Sequence, residues 1–413
     1  MNSQSAHGDR SDSGSIASIF LIFLRLGLTS FGGPVAHIAY FRDEFVRRRR
    51  WLDESAYADL VALCQFLPGP ASSQVGMALG LMRGGQAGAI AAWLGFTMPS
   101  ALLMIGFGVG LVAFGEAMPA GLLQGLKLAA VAAVIHAAWG MGRTLCADRA
   151  RFSLMVLACG AVLLGPAGGG PWWVIVIAAL LGPLLLPVAP VAPAPVSLVA
   201  GASGPLRPAV ALAAGAVFLV LLIGLPFVVG GSDSVWLAQF DAFYRAGSLV
   251  FGGGHVVLPM LQAELVDAGL VNERAFLAGY GAAQAIPGPL FTFAGFLGAA
   301  MQSGPGGWLG GLWCLVAIFV PAWLLVLAAL PFWARLRQVA RAQQMLAAVN
   351  AAVVGVLLAA LYDPVWTGSV LSALDFCFVL AGVAALAFWR VPQWLTVVGG
   401  ALTYAAAHSW LAG

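Results

Sequence analysis

Pro-Gly-Pro is a triplet that no helix runs through, and this chain carries it twice inside apolar sequence. It appears in CQFLPGPASSQVG (Cys64 to Gly76) and again in AQAIPGPLFTFAG (Ala283 to Gly295). Both follow one pattern, Gln-x-x-Pro-Gly-Pro-x-x-[Ser/Thr]-x-x-Gly, from Gln65 to Gly76 and from Gln284 to Gly295. The surroundings decide what such a break means. The chain is 61% hydrophobic and 8% charged, with a mean hydropathy of +0.95; soluble domains carry roughly a quarter charged residues. Apolar runs of about 20 residues, long enough to span a bilayer, recur along it. They are continuous rather than alternating, which argues against a β-barrel. The expectation is an all-α polytopic membrane protein whose lipid bilayer is its solvent.

The breaks belong to a longer duplication. RLGLTSFGGP (Arg25 to Pro34) matches RAGSLVFGGG (Arg245 to Gly254), pairing Arg25 with Arg245, Gly32 with Gly252 and Gly33 with Gly253. Glu44 then pairs with Glu264, GGQAG at Gly84 matches GGWLG at Gly306, and Pro99 matches Pro321. The domain reading is a polar, disordered leader without signal-peptide layout (1–15), a first repeat (16–186), a connector (187–235) and a second repeat (236–413). The connector starts with prolines at spacings of three, an extended polyproline-like pattern, and adds one apolar span from Pro208 to Gly231. One extra crossing inverts the second copy relative to the first.

Basic residues test the inversion, because short cytoplasmic loops are enriched in them. RDEFVRRRRW has five arginines from Arg42 to Arg50, whereas its second-copy counterpart QAELVDAGLVNER has one arginine and three acids. FGEAMP (Phe114 to Pro119) has no basic residue and its counterpart RLRQVAR has three. GRTLCADRAR carries three, and the region around LYDPVW carries none. All three comparisons predict inverted repeats with the amino terminus in the cytoplasm. The count closes when the segments at 16–46, 54–83, 237–267 and 273–303 form re-entrant hairpins bending at the FGG and PGP breaks. Tilted full crossings are the alternative.

Non-helical backbone at membrane depth is tolerated where it is buried in protein or lines a wet cavity. A helix restarting after the break points free N–H groups and a positive dipole end at it, which suits an anion. Gly69 and Gly288 sit at the breaks. Ser72, Ser73 and Thr292 add hydroxyls, and Gln65 and Gln284 add amides one turn earlier. Paired broken helices of inverted repeats meeting at the midplane are a transporter plan. Arg25 and Arg245, each in an apolar run with no sequence-near acid to neutralise it, are expected to clamp a doubly charged oxyanion. Structural pairing with Glu44 or Glu264 is the blander reading. Glu44, Glu264, His255, Lys127 and Asn350 are candidates for coupling or gating. The five cysteines show no metal spacing, no metal or other cofactor is implied, and no Walker loop or catalytic constellation is present, so neither an ATP-driven pump nor an enzyme is expected.

These motifs, FGGP, FLPGPASSQVGMALG, RGGQAGAIAAWLGFTMPS, FGGGHVVLPML and AIPGPLFTFAGFLG, resemble the chromate ion transporter family in its long, two-domain form. The resemblance implies secondary export of chromate, a sulfate-shaped dianion, across the bacterial inner membrane, and hence chromate resistance. It implies the membrane potential or the proton gradient as driving force. The alternative is an importer or exchanger of sulfate or another tetrahedral anion. A homodimer is compatible with such a chain, and no nucleic-acid partner is expected.

Overall fold

The computed structural model describes residues 15–165, 170–187, 207–302 and 304–412. The leader and most of the proline-rich connector lie outside the described residues. Among the described residues the secondary structure is helical, with no strand.

In the first repeat, α1 (Ile16–Thr29) runs to the FGG turn and α2 (Gly33–Arg42) returns from it into a wide turn of π-helix at Asp43–Arg48. α3 (Glu54–Phe66) starts at Asp53, whose carboxylate accepts the Ala56 N–H at 2.7 Å. It ends at the first PGP break, from which α4 (Ala71–Phe114) departs. α4 folds back on itself at Gly84–Gly85, where Gly85 has φ +60° and Gly80 lies against the Gly88 carbonyl. α5 (Ala120–Leu145), α6 (Arg149–Leu164) and α7 (Trp172–Leu185) complete this copy. α8 (Pro208–Gly230) stands between the copies.

The second repeat follows the same plan. α9 (Val235–Leu249) and α10 (Val257–Leu265) flank FGGG, and α11 (Glu273–Ala283) and α12 (Phe293–Ala300) flank the second PGP. α13 (Gly307–Ala329), the short α14 (Trp333–Leu336), α15 (Ala340–Ala360), α16 (Ala373–Ala387) and α17 (Gln393–Ala412) follow. The packing device is shared too. A Cβ at Gly27 would stand 2.6 Å from the Phe96 carbonyl, and Gly247 meets the matched Ile318 carbonyl as closely. Small residues let these helices touch backbone to backbone, which is how helices associate where lipid removes the hydrophobic drive.

The copies run antiparallel. The start of α13 at Trp308 lies beside Gly106 late in α4, while Leu327 at the far end of α13 and Leu330 just after it cluster with Leu81 and Ala89 at the α4 fold. The base of each set of hairpins therefore sits at the opposite end of the α4–α13 pair. The repeats also exchange partners: α6 and α7 pack on α15, and α16 and α17 pack on α5. Among the described residues five helices, counting α13 with α14 and α15 with the turn after it, are long and apolar enough to cross a membrane: Ala71–Phe114, Ala120–Leu145, Pro208–Gly230, Gly307–Leu336 and Ala340–Trp366. α1 spans 14 residues, about 21 Å, and is too short to cross alone.

Candidate anion site

The breaks of one repeat are completed by the other. The Gly69 N–H donates to the Val250 carbonyl at 2.7 Å, and the Gly288 N–H donates to the Ser30 carbonyl at 3.0 Å. Ser30 and Val250 are matched residues just before the two FGG turns, so both PGP breaks and both FGG turns meet. Gly69 and Gly288 have φ +116° and +96°, left-handed values that suit glycine. Gly32, Gly33, Gly252 and Gly253 also have positive φ, and the Gly254 Cβ position lies 3.8 Å from Pro34 of the other turn.

Side chains around this junction differ between copies. Gln74 Nε2 donates to the Pro68 carbonyl at 2.7 Å and braces the first break. Buried His37 lies between the Ser30 carbonyl, 3.2 Å from Nε2, and Ser72 Oγ, 3.3 Å from Nδ1. Because a carbonyl only accepts, Nε2 carries the proton and the Ser72 hydroxyl donates to Nδ1. Ser72 thus has its proton engaged, as does Thr292, whose hydroxyl donates to the Pro289 carbonyl at 2.9 Å. Ser73 Oγ and Ser30 Oγ are buried without a partner. Gln65 is exposed, whereas Gln284 is 8% exposed and its Oε1 accepts from Gln393 Nε2 at 2.6 Å. The Gln284 Nε2 is buried and unpartnered. Next to Gln393, Trp394 packs against Phe31 of the first FGG turn, ring centroids 5.8 Å apart.

The matched arginines part company. Arg25 is exposed, and among the described residues no acid pairs with it. Arg245 is bound by two carboxylates, Asp241 at 3.0 Å and Glu264 at 2.9 Å. The expectation that no sequence-near acid neutralises Arg245 is therefore corrected: Asp241 lies one helical turn earlier, at an i,i+4 spacing legible in the sequence. Leu21 occupies the matched place before Arg25. Glu44 pairs instead with Arg48 at 3.1 Å and Arg49 at 2.6 Å. Partial burial works against its ionisation, but the hydrogen bonds and charges of these arginines prevail and hold its carboxyl below the usual value.

Of the remaining candidates, Lys127 lies away from the junction, while Asn350 and His255 adjoin the second FGG turn. Lys127 is buried on α5 and donates to the Gly368 carbonyl at 2.7 Å, beside Gln124, which donates to the Ser369 carbonyl at 2.6 Å. Asn350 Oδ1 lies 3.6 Å from the Gly252 Cβ position, without a hydrogen-bond partner. His255, in the short turn before α10, has Nδ1 2.7 Å from the Tyr280 hydroxyl of α11. The sequence pattern pointed to Gln74 as a donor at the first helix start, where its amide is spent on Pro68, and left Asp241, Gln393 and Trp394 unassigned.

The hairpins are also seated differently. α11 lies on α5 so closely that Gly281 meets the Leu126 carbonyl. α3 is held at its outer side, by Asp59 to Arg337 at 2.9 Å and Phe66 against Trp333 at 5.6 Å. It leaves Glu54, Ser55, Ala58, Ala62 and Gln65 exposed, a polar and small face unsuited to lipid.

A multi-pass helical membrane protein with two antiparallel repeats, each broken twice and joined at the breaks, has the architecture of a transporter. Residues 17–183 and 237–405 each match the chromate transporter family, and the chain belongs to that family. It is 31% identical to a chromate transport protein of Pseudomonas aeruginosa over 366 residues, covering 84% of this chain and 81% of the relative. It is 25% identical to a chromate transport protein of Cupriavidus metallidurans over 96% of this chain and 94% of the relative. An uncharacterized transporter of Methanocaldococcus jannaschii is 26% identical over 84% and 83%. No solved structure matches the chain.

Proposed function

We propose that this chain is a secondary carrier that exports chromate across a bacterial inner membrane and so confers chromate resistance. The observation that carries the reading is the pair of crossed hydrogen bonds, Gly69 to Val250 and Gly288 to Ser30, which gathers four backbone breaks beside unused donors and an unpaired arginine. That setting suits a small oxyanion. The chromate transport proteins related to this chain supply the identity of the anion. Loop arginines orient the α4 fold and the base of α3 toward the cytoplasm. The exposed α3 face and the seated α11 then correspond to a site reached from inside and closed outside. Export follows the energetics: a dianion leaving a cell that is negative inside gains about 2.3 kcal/mol per charge per 100 mV. The membrane potential drives it without an obligatory proton.

Labelled chromate uptake into inside-out vesicles, with the potential clamped and unlabelled sulfate as competitor, tests this. Saturable uptake that rises with an interior-positive potential is expected. Uptake that occurs only in right-side-out vesicles overturns the direction, and flux without saturation overturns the carrier.

A further inference from the structure

We infer that Arg390, not Arg245, is the second guanidinium of the anion site. This rests on the function proposed above. The Arg245 guanidinium is already held by two acidic side chains, Asp241 and Glu264, which compete with a dianion for it. Arg390 is exposed, and among the described residues no acid pairs with it.

Its position is costly in two ways. The Trp389 N–H donates to the Ala384 carbonyl and the Val391 N–H to the Ala385 carbonyl, closing the end of α16 with Arg390 at φ +52°. That left-handed place favours glycine, and a strained side chain there is a pointer to function. Among the described residues the other non-glycine residue with positive φ, Arg50, ends the basic loop instead.

The second cost is depth. α17 packs antiparallel on α5, with Gly121 against Ala405 and Gly125 against Ala401. Continuing that register sets Trp394 level with Ala132, midway along the 26 residues of α5, and Gly382 of α16 touches the same Ala132. Arg390 lies about one turn beyond that level, still within the span of α5. An arginine at that depth without a carboxylate needs water or an anion.

The direction of the offset brings Arg25 in. α1 begins at the α4 fold, where Ile19 touches Gly84 and Gly88, so Arg25 lies about one turn from Ser30 toward that base. α17 runs from the junction toward the start of α5, so the chain before Gln393 lies on the other side, toward the same base. Trp394 on Phe31 and Gln393 on Gln284 fix this loop to the junction. Two guanidinium groups, displaced from the junction toward one face, match a tetrahedral dianion in charge and in forked geometry.

Equilibrium binding of labelled sulfate and chromate to the purified full-length chain, with thermal unfolding as a control, tests the assignment. Arg390→Gln weakens binding at least about tenfold with unchanged unfolding, Arg390→Lys recovers part of the loss, and Arg25→Gln behaves like Arg390→Gln. Wild-type affinity in Arg390→Gln, with binding lost in Arg25→Gln, overturns the assignment and makes Arg390 an interfacial anchor. A wild-type chain that binds neither dianion overturns the proposed function and this inference together.

Discussion

The two repeats share a backbone and differ in chemistry. Glycines at close crossings, prolines within α4 and α13, the two breaks and the crossed hydrogen bonds recur in both. Most polar side chains around the first break do not. Around the first break stand Ser30, His37, Ser72, Ser73, Gln74, Thr97 and Ser100, all buried. Their matched positions hold Val250, Val257, Phe291, Thr292, Phe293, Phe319 and Ala322. At these positions the second copy is apolar save Thr292, and its matched arginine is held by acids; its own polar groups near the junction, Gln284, Asn350 and Gln393, stand at other positions. The two copies keep one frame and place their polar groups at different positions on it.

The largest expected effect separates the matched arginines. Arg245→Gln strands Asp241 and Glu264 and costs about 2–3 kcal/mol of stability, less than for a fully buried pair because Arg245 is 28% exposed. Arg25→Gln leaves the unfolding midpoint in place and removes transport. Adding Asp241→Asn and Glu264→Gln to Arg245→Gln restores the midpoint. Equal losses of stability in the two single variants would break the comparison.

Next come the matched hairpin positions. Gly281→Val forces methyl groups into the Leu126 carbonyl, costing about 1–3 kcal/mol and abolishing uptake. Ala62→Val, on exposed α3, shifts stability by about 0.5 kcal/mol at most. Unfolding in detergent measures both, and a severe Ala62→Val would show that this face is packed.

The hydroxyls give a smaller contrast. Thr292→Val loses the bond to Pro289 and about 1 kcal/mol of stability. Ser73→Ala removes an unpartnered buried hydroxyl, so stability holds while chromate affinity falls. The reverse outcome would move the donor to the second repeat.

The smallest effect concerns pH. A carboxyl held below its usual value stabilises the fold above the ordinary carboxylate range, and this contribution fades only on acidification through its lowered value. Glu44 is therefore ionised throughout about pH 6 to 8. Glu44→Gln leaves the transport profile over that range unchanged; a flattened profile would restore it as a proton-coupling group.

Much of the frame was legible because broken backbone leaves compositional marks. PGP, FGG and GGQAG announce where helices stop and where they touch, and their recurrence announces the second copy. The site was legible only as a symmetric set, since pattern matching assigns matched residues matched roles. It could not show that the Ser72 and Thr292 protons are engaged while the Ser73 proton is not. The bond from Gly288 to Ser30 joins main chain to main chain across the two repeats and has no signature in residue identity. Gln393 and Trp394 reach the junction through the exchange of α16 and α17 onto α5, a long-range arrangement invisible in local pattern. Asp241 was readable, one turn before Arg245, and a helical-neighbour count would have found it.

The crossed hydrogen bonds have a consequence for leakage. A hairpin whose bend is tied only to its own repeat can swing alone, and two such hairpins can both stand open. Here each PGP bend is fastened to the FGG turn of the other repeat, so neither hairpin can be displaced without straining a bond to the other copy. In the carrier proposed above, these two amide protons couple the hairpins of both repeats, so that opening one without the other costs a hydrogen bond, and a cell that lives on its ion gradients is spared the moment when both are ajar.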